Sequence, residues 1–124
     1  MIKTIQELIS GTKAAWYSGK GHKATRLGKY EKAFHYYELA LEHEVKEGKC
    51  GSGISPVTLE CLARTQARLG NYGEALITAE KSYALYKKSN SNAKVVTDSI
   101  KRIEEFINFI KTGNTEELNK ILSI

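Results

Sequence analysis

The chain has 124 residues, of which 41% are hydrophobic and 27% charged, and its formal net charge is +5. This length suits one domain that buries roughly two-thirds of its unfolded surface. The longest apolar runs are only a few residues, and no apolar segment follows Met1, so the sequence argues against a membrane span and a secretory signal and predicts a cytoplasmic protein.

The first predicted element is a short capping helix within residues 1–11, where isoleucine and leucine recur at helical spacing. Ser10, Gly11 and Thr12 then interrupt the pattern. Thr12 is a suitable N-cap, because its hydroxyl can accept from a free backbone N–H of the next helix. That helix is expected to end near Leu27.

Residues 27–33 read LGKYEKA and predict the turn into a second helix, which runs from about Tyr30 to Val45. Gly28 stands where the chain leaves the first helix and must adopt a positive φ, which costs glycine little. Tyr30 and Ala33 share a helix face, so a large ring lies beside a small residue. This pairing allows two helices to approach closely.

The same string returns as LGNYGEA over residues 69–75, 42 positions later, and Gly113 opens a weaker third copy. Before the second copy, a glycine-rich loop over residues 46–55 leads to Pro56 in the first turn of a third helix, where its missing N–H costs nothing. Self-similarity at such a period is typical of stacked helix hairpins. The repeated signature positions are Gly28, Tyr30 and Ala33 in the first copy and Gly70, Tyr72 and Ala75 in the second.

After a polar connection over residues 87–94, the clearest amphipathic pattern of the chain predicts a fifth helix. Its apolar stripe is Val96, Ile100, Ile103, Ile107 and Ile110. Aligning the third copy by this stripe or by Gly113 gives two different registers. Asn114 and Glu117 form a capping box for a last helix that ends near Leu122.

Residues 14–44 and 56–86 resemble tetratricopeptide repeats, whose second half reads Gly-x-Tyr-x-x-Ala, then an aromatic or apolar residue, then Ala-Leu. The first copy follows this pattern at Gly28, Tyr30, Ala33, Phe34, Tyr37, Ala40 and Leu41. The second has Ser82 and Tyr83 in place of Ala-Leu, and the period exceeds the usual ~34 residues. In its longer period the chain is similar to the repeats of kinesin light chains. Gly21 falls where the family has a small residue for close helix contact.

The resemblance implies an all-α fold, a right-handed array of antiparallel helix hairpins with about two and a half repeats and terminal capping helices. The predicted divisions of this single domain are an N-terminal cap over 1–11, repeat 1 over 12–45, repeat 2 over 56–88, and a degenerate third repeat with a C-terminal cap over 93–124.

In this family the first helix of each hairpin lines a concave surface that binds peptides, so the resemblance implies a protein-binding adaptor or scaffold. Counted from the turn glycines, the concave positions are Ser18, His22, Thr25, Arg26, Glu60, Arg64, Ala67 and Arg68. Arg64 and Arg68 share a helix face, and guanidinium donors suit carboxylates, so we expect an acidic partner segment. The alternative is that these arginines are solvated or pair with Glu60 or Glu74.

A second functional hypothesis is a structural, self-assembling protein. Ile121, Leu122 and Ile124 remain apolar at the last helix, although terminal repeats normally have a polar outer face. These residues either fold back on the fifth helix or contact another copy as a homo-oligomer.

Other functions have weaker support in the sequence. Basic and acidic residues are interleaved with no arginine-rich run, which makes nucleic acid an unlikely partner. His35, Glu38 and Glu42 share a helix face, but the inward carboxylates from two helices that a metal site needs are missing. We therefore expect no metal, no cofactor and no enzymatic activity.

The cysteines and most of the tyrosines are interpreted as structural residues. Cys50 and Cys61 lack a Cys-x-x-Cys spacing and are expected to be reduced thiols. Among the seven tyrosines, Tyr30, Tyr37, Tyr72 and Tyr83 are predicted to be in the core and Tyr36 and Tyr86 at the surface.

Overall fold

The computed structural model describes residues 5–47 and 53–123, and within this part the chain forms six helices and no strand. The helices are α1 (Ile5–Arg26), α2 (Tyr30–Glu47), α3 (Pro56–Arg68), α4 (Tyr72–Lys88), α5 (Lys94–Thr112) and α6 (Thr115–Leu122). The largest contacts join α1 with α2 and α3 with α4, and α2 and α5 pack on the second hairpin from either side. The predicted all-α array of helix hairpins is therefore confirmed.

Three turns of the same geometry connect the paired helices. Gly28, Gly70 and Gly113 have φ of 72°, 83° and 70°. In each turn the glycine N–H donates to the carbonyl three residues back, and the next N–H donates to the carbonyl five residues back, at 2.8–3.2 Å. This closure satisfies helix-end carbonyls and requires a left-handed residue, which explains the repeated glycine. The weak third copy thus makes the same turn as the first two.

The N-terminal region differs from the prediction. α1 runs without a break through residues 10–12, so the predicted interruption and the N-cap at Thr12 are wrong. A glycine inside a helix costs only about 1 kcal/mol relative to alanine. The extensive packing of α1 on α2 offsets that amount. The division of the domain at residue 11 stays a prediction, and residues 1–4 of that cap lie outside the described part.

The start of α3 is fixed by side chains from two helices. Ser55 is the N-cap, and its Oγ accepts from Val57 N at 3.2 Å, with Pro56 in the first turn as predicted. Glu44 of α2 accepts from Ser55 N at 3.0 Å and from Thr58 Oγ1 at 2.6 Å. A carboxylate near a helix N-terminus also interacts favourably with the helix dipole. These contacts tie the first hairpin to the second.

Small residues stand at the helix contacts, as the repeated alanine predicts. Ala33, Ala40, Ala75 and Ala79 are fully buried on the second helices of the two hairpins. Ser82, which departs from the family pattern, is also fully buried, and its Oγ donates to Pro56 O at 2.7 Å. The hydroxyl therefore replaces a family alanine without leaving an unpaired polar group.

Two tyrosine predictions are wrong. Tyr72 was expected in the core but is 41% exposed in the first turn of α4. Tyr86 was expected at the surface but is 5% exposed, because it faces α3 and donates from its hydroxyl to Glu60 at 2.9 Å. Tyr37 is buried as predicted, while Tyr30, Tyr36 and Tyr83 are half-buried.

The predicted bounds of the last helix are confirmed, together with one of the two hydrogen bonds of its predicted capping box. α5 carries the apolar stripe and ends at Gly113, and Asn114 Oδ1 accepts from Glu117 N at the start of α6 at 3.3 Å. Across the described ranges 5–47 and 53–123, every helix is too short or too polar to cross a membrane.

Candidate functional site

The predicted concave positions lie on α1 and α3, the first helices of the two hairpins. On α1, His22 and Arg26 are exposed and Ser18 is half-buried. On α3, Glu60 is buried and Arg64 and Arg68 are half-buried. Thr25 is half-buried and Ala67 belongs to the core. The structure thus leaves His22 and Arg26 of α1 exposed to solvent and engages the charged positions of α3 within the chain.

On the α1 side, the buried ring of Tyr37 crosses from α2 towards the concave positions. Its hydroxyl forms a hydrogen bond with His22 Nδ1 at 2.8 Å. The ring fits because residue 21 is glycine: a Cβ there would lie 2.6 Å from Tyr37 Cε1. Burial raises the pKa of Tyr37 to about 12, and Cys61 of α3 contributes to the shift. Burial likewise raises the pKa of the Cys61 thiol.

The raised pKa of Tyr37 predicts a loss of stability at alkaline pH. Because the folded pKa lies above the ordinary 10.0, the stabilisation from neutral Tyr37 is complete below pH 10 and is lost as the pH rises towards 12. In a spectrophotometric titration, Tyr37→Phe is expected to remove one tyrosine from the component that ionises near pH 12. Circular dichroism at neutral pH is the control, and it should show that the variant remains helical. A titration in which Tyr37→Phe leaves the late component intact contradicts the prediction.

Glu60 joins three helices. Its Oε2 accepts from Arg102 Nε at 2.6 Å, and its Oε1 accepts from Arg102 Nη2 and from the Tyr86 hydroxyl, each at 2.9 Å. Two parallel bonds between a guanidinium and a carboxylate form the strongest common ion-pair geometry. The Glu60 bond raises the pKa of Arg102, while burial and then the Glu60 carboxylate raise the pKa of Tyr86 to about 12. Glu60 therefore holds α4 and α5 against α3.

Sequence reasoning missed Arg102, yet a signal for it was present. Glu60 and Arg102 are 42 positions apart, which is the period of the repeated string. They lie on the first helices of neighbouring repeats but are one position out of register by the turn glycines, because Gly70 and Gly113 are 43 positions apart. Residues about one period apart meet on such helices. A comparison of charges at that offset would have predicted the ion pair.

Arg64 and Arg68 do lie on one face, and both bind backbone oxygens of α6. Arg64 Nη2 donates to Ile121 O at 2.9 Å, and Arg68 Nη2 donates to Leu122 O at 2.5 Å. The last carbonyls of a helix have no partner within it and carry its negative dipole end, so guanidinium donors are suitable partners. Burial and the charge of Arg68 lower the pKa of Arg64. Arg68 also lies 5.4 Å from the ring centroid of Tyr30.

The apolar side of α6 completes this attachment. Leu118 and Leu122 are buried in one cluster with residues of α3, α4 and α5. Ile121 is half-buried, and Ile124 lies outside the described residues. The expectation that the apolar end folds back on the fifth helix therefore holds for Leu122. The arginines pair with carbonyls of α6, which neither alternative from the sequence included.

Within residues 5–47 and 53–123, no three His, Cys, Asp or Glu side chains are grouped so that they could hold a metal ion. Cys61 is a free thiol, and Cys50 lies outside the described part.

Comparison with known protein families gives a match. The family model described as Tetratricopeptide repeat matches residues 12–88, which include α1 from residue 12 onward and all of α2, α3 and α4. Neither a curated protein nor a solved structure matches the chain.

Proposed function

The chain belongs to the tetratricopeptide repeat family, whose repeats mediate protein–protein interactions, and we propose that it is an adaptor or scaffold that binds an acidic partner segment on its concave face. The repeat of this family is a non-catalytic module. The absence of enzymatic activity and the cytoplasmic location expected from the sequence remain parts of the proposal.

The observation that supports the proposal most directly is the pair of bonds from Arg64 and Arg68 to peptide carbonyls. By the count from the turn glycines, these donors occupy positions at which the resemblance implies peptide binding. They already hold two backbone oxygens of the chain. Backbone carbonyl and carboxylate oxygens both accept hydrogen bonds from a guanidinium, and the carboxylate is the stronger acceptor. Arginines aimed in this way favour an acidic segment over an apolar or basic one.

The α1 side supplies the accessible part of the proposed surface. His22 and Arg26 are exposed one helical turn apart, and Lys23 is exposed beside them. Long-range attraction from such charges speeds the encounter with an acidic partner and weakens with added salt. An acidic segment can therefore make its first contact at Arg26, which is exposed in the presence of α6.

We expect Arg26→Glu to abolish capture of a partner that the wild-type chain retains from a lysate of its source organism. Lys81→Glu is the matched control, because Lys81 is exposed on α4 and the change in net charge is the same. Circular dichroism shows whether both variants remain helical. A partner held by the wild type and by Lys81→Glu, but lost by Arg26→Glu, supports the proposal. A partner retained equally by all three contradicts the assignment to the concave face.

Self-assembly is the alternative proposal. The apolar residues that suggested it, Ile121 and Leu122, contact the rest of the chain in the structure, so that argument is weaker. Sedimentation equilibrium of the wild-type chain tests the alternative: a stable oligomer supports self-assembly, and a monomer at high concentration contradicts it.

A further inference from the structure

We infer that the surface of α3 and α5 beneath α6 binds an amphipathic helix of a partner protein, and that α6 is a displaceable occupant of this surface. The inference rests on the proposed function and adds the kind of partner. Its basis is that α6 is seated there through contacts that any helix of the same chemistry can make.

The contacts of α6 define the ligand. Leu118 and Leu122 are four positions apart on one helix face and are buried against α3, α4 and α5. The first turn is acidic, with Glu116 and Glu117, and the last two carbonyls accept from the arginine pair. None of these contacts depends on the connection to α5. A helix from another protein can make the same contacts if it has two leucines at this spacing and its last carbonyls reach Arg64 and Arg68. The leucines then fill the apolar cluster, and the carbonyls accept from the two guanidinium groups.

α6 is weakly held compared with the other helices. It has eight residues, and isolated helices shorter than about 12–15 residues are marginal in water. Its contact with α5 is far smaller than the contacts within the two hairpins. The link from α5 is a glycine in the left-handed region followed by Asn114, so few backbone angles need to change when α6 leaves. A short helix with a small contact to its neighbour opens more readily than longer, more extensively packed helices, although Leu118 and Leu122 lie in the core cluster.

The surface beneath α6 is held by contacts that do not involve α6. The ion pair between Glu60 and Arg102 joins α3 to α5, and Tyr86 adds a bond from α4. Arg68 is also placed by the ring of Tyr30 in the first hairpin. The arginine donors and the apolar floor therefore stay in position when α6 is displaced, and a partner helix meets a largely formed site.

The test uses a synthetic peptide of residues 112–123 with blocked ends, labelled for fluorescence anisotropy. The protein is the full chain with Leu118→Ser and Leu122→Ser, which unseats its own α6. We expect this variant to bind the peptide at least about tenfold more tightly than the wild type, because an attached segment competes at millimolar effective concentration. Arg64→Gln with Arg68→Gln in the same variant is expected to weaken binding about tenfold. A peptide with serine at both leucine positions is the matched control and should not bind.

A second peptide separates recognition of a helix type from recognition of α6 alone. It keeps the acidic first turn and the two leucines and has alanine or glutamine elsewhere. Binding within about tenfold of the first peptide supports a site for helices of this class. Failure of a helical peptide of this design to bind overturns the inference.

Hydrogen exchange of the wild-type chain gives a test that does not depend on the leucine variant remaining folded. The amides of residues 115–122 are expected to exchange at least about tenfold faster than those of α5, since α6 opens separately. Exchange of α6 at the slow rate of α5 overturns the inference.

The oligomeric state gives another test. A wild-type dimer that dissociates on addition of the peptide also overturns the inference, because the occupant of the surface is then a second copy of the chain. If Arg26→Glu abolishes partner capture while α6 does not open, the proposed function stands and this inference alone fails.

Discussion

Replacement of Gly21 by alanine is expected to destabilise the protein by about 2 kcal/mol, although alanine is the better helix former. The new Cβ would lie 2.6–2.9 Å from three carbon atoms of the Tyr37 ring. That ring is 2% exposed, and its hydroxyl is held by His22, so it cannot move aside freely. Overpacking of a filled core costs about 1–3 kcal/mol. We place this clash near the upper end and subtract about 1 kcal/mol for the gain in helix propensity.

Gly19 provides the matched control. It lies in the same helix, is exposed, and a Cβ at this position meets no atom within 4 Å. Gly19→Ala is therefore expected to stabilise the protein by about 0.5–1 kcal/mol. Urea denaturation followed by circular dichroism measures both changes. If Gly21→Ala is as stable as Gly19→Ala, the ring of Tyr37 does not limit the distance between α1 and α2.

The two glycines also show which features of the fold the sequence can predict. The family pattern required a small residue at position 21, and the structure gives the reason in the ring of Tyr37. The pattern gave no reason for Gly19, and nothing in the structure explains it. The turns at Gly28, Gly70 and Gly113 were predictable because a positive φ is a property of one residue and its neighbours.

Predictions failed where distant packing decides the outcome. α1 continues through Gly11 because its contact with α2 outweighs a local propensity. The predicted burial of Tyr72 and Tyr86 is the reverse of the observed burial. The spacing of the tyrosines does not show which side of α4 will be covered by neighbouring helices. Such errors are expected when a helix face is assigned from one repeat without its neighbour.

The positions of the candidate site residues on one helix face could be predicted from the sequence, but their hydrogen-bond acceptors could not. Arg64 and Arg68 share a face because they are four residues apart in one helix. Their acceptors lie 57 and 54 positions further on, in a helix whose path depends on the turn at Gly113. Counting from the turn glycines finds the donors of a groove, and it cannot find a segment of the same chain that returns to fill it.

The buried ion pair of Glu60 gives the other large expected effect. Glu60→Ala should destabilise the protein by about 3 kcal/mol, because it leaves the buried hydroxyl of Tyr86 and the guanidinium of Arg102 without their partner. The side chain of Glu60 is 9% exposed and that of Arg102 is 44% exposed. Water can therefore reach part of the guanidinium, and we place the cost at the lower end of the range for broken buried pairs. Glu74→Ala, at an exposed glutamate on α4, is the control and should change stability by less than about 0.5 kcal/mol.

A double replacement separates the ion pair from the packing of the same side chains. Glu60→Leu with Arg102→Met removes both charges, and well-packed apolar residues often replace a buried pair at little cost. We therefore expect the double variant to be more stable than the sum of the two single changes predicts, by about 1–3 kcal/mol in urea denaturation. Additive single costs would mean that Glu60 and Arg102 act independently. The ion pair would then not be what holds α5 on α3, and the surface beneath α6 would depend on apolar contacts alone.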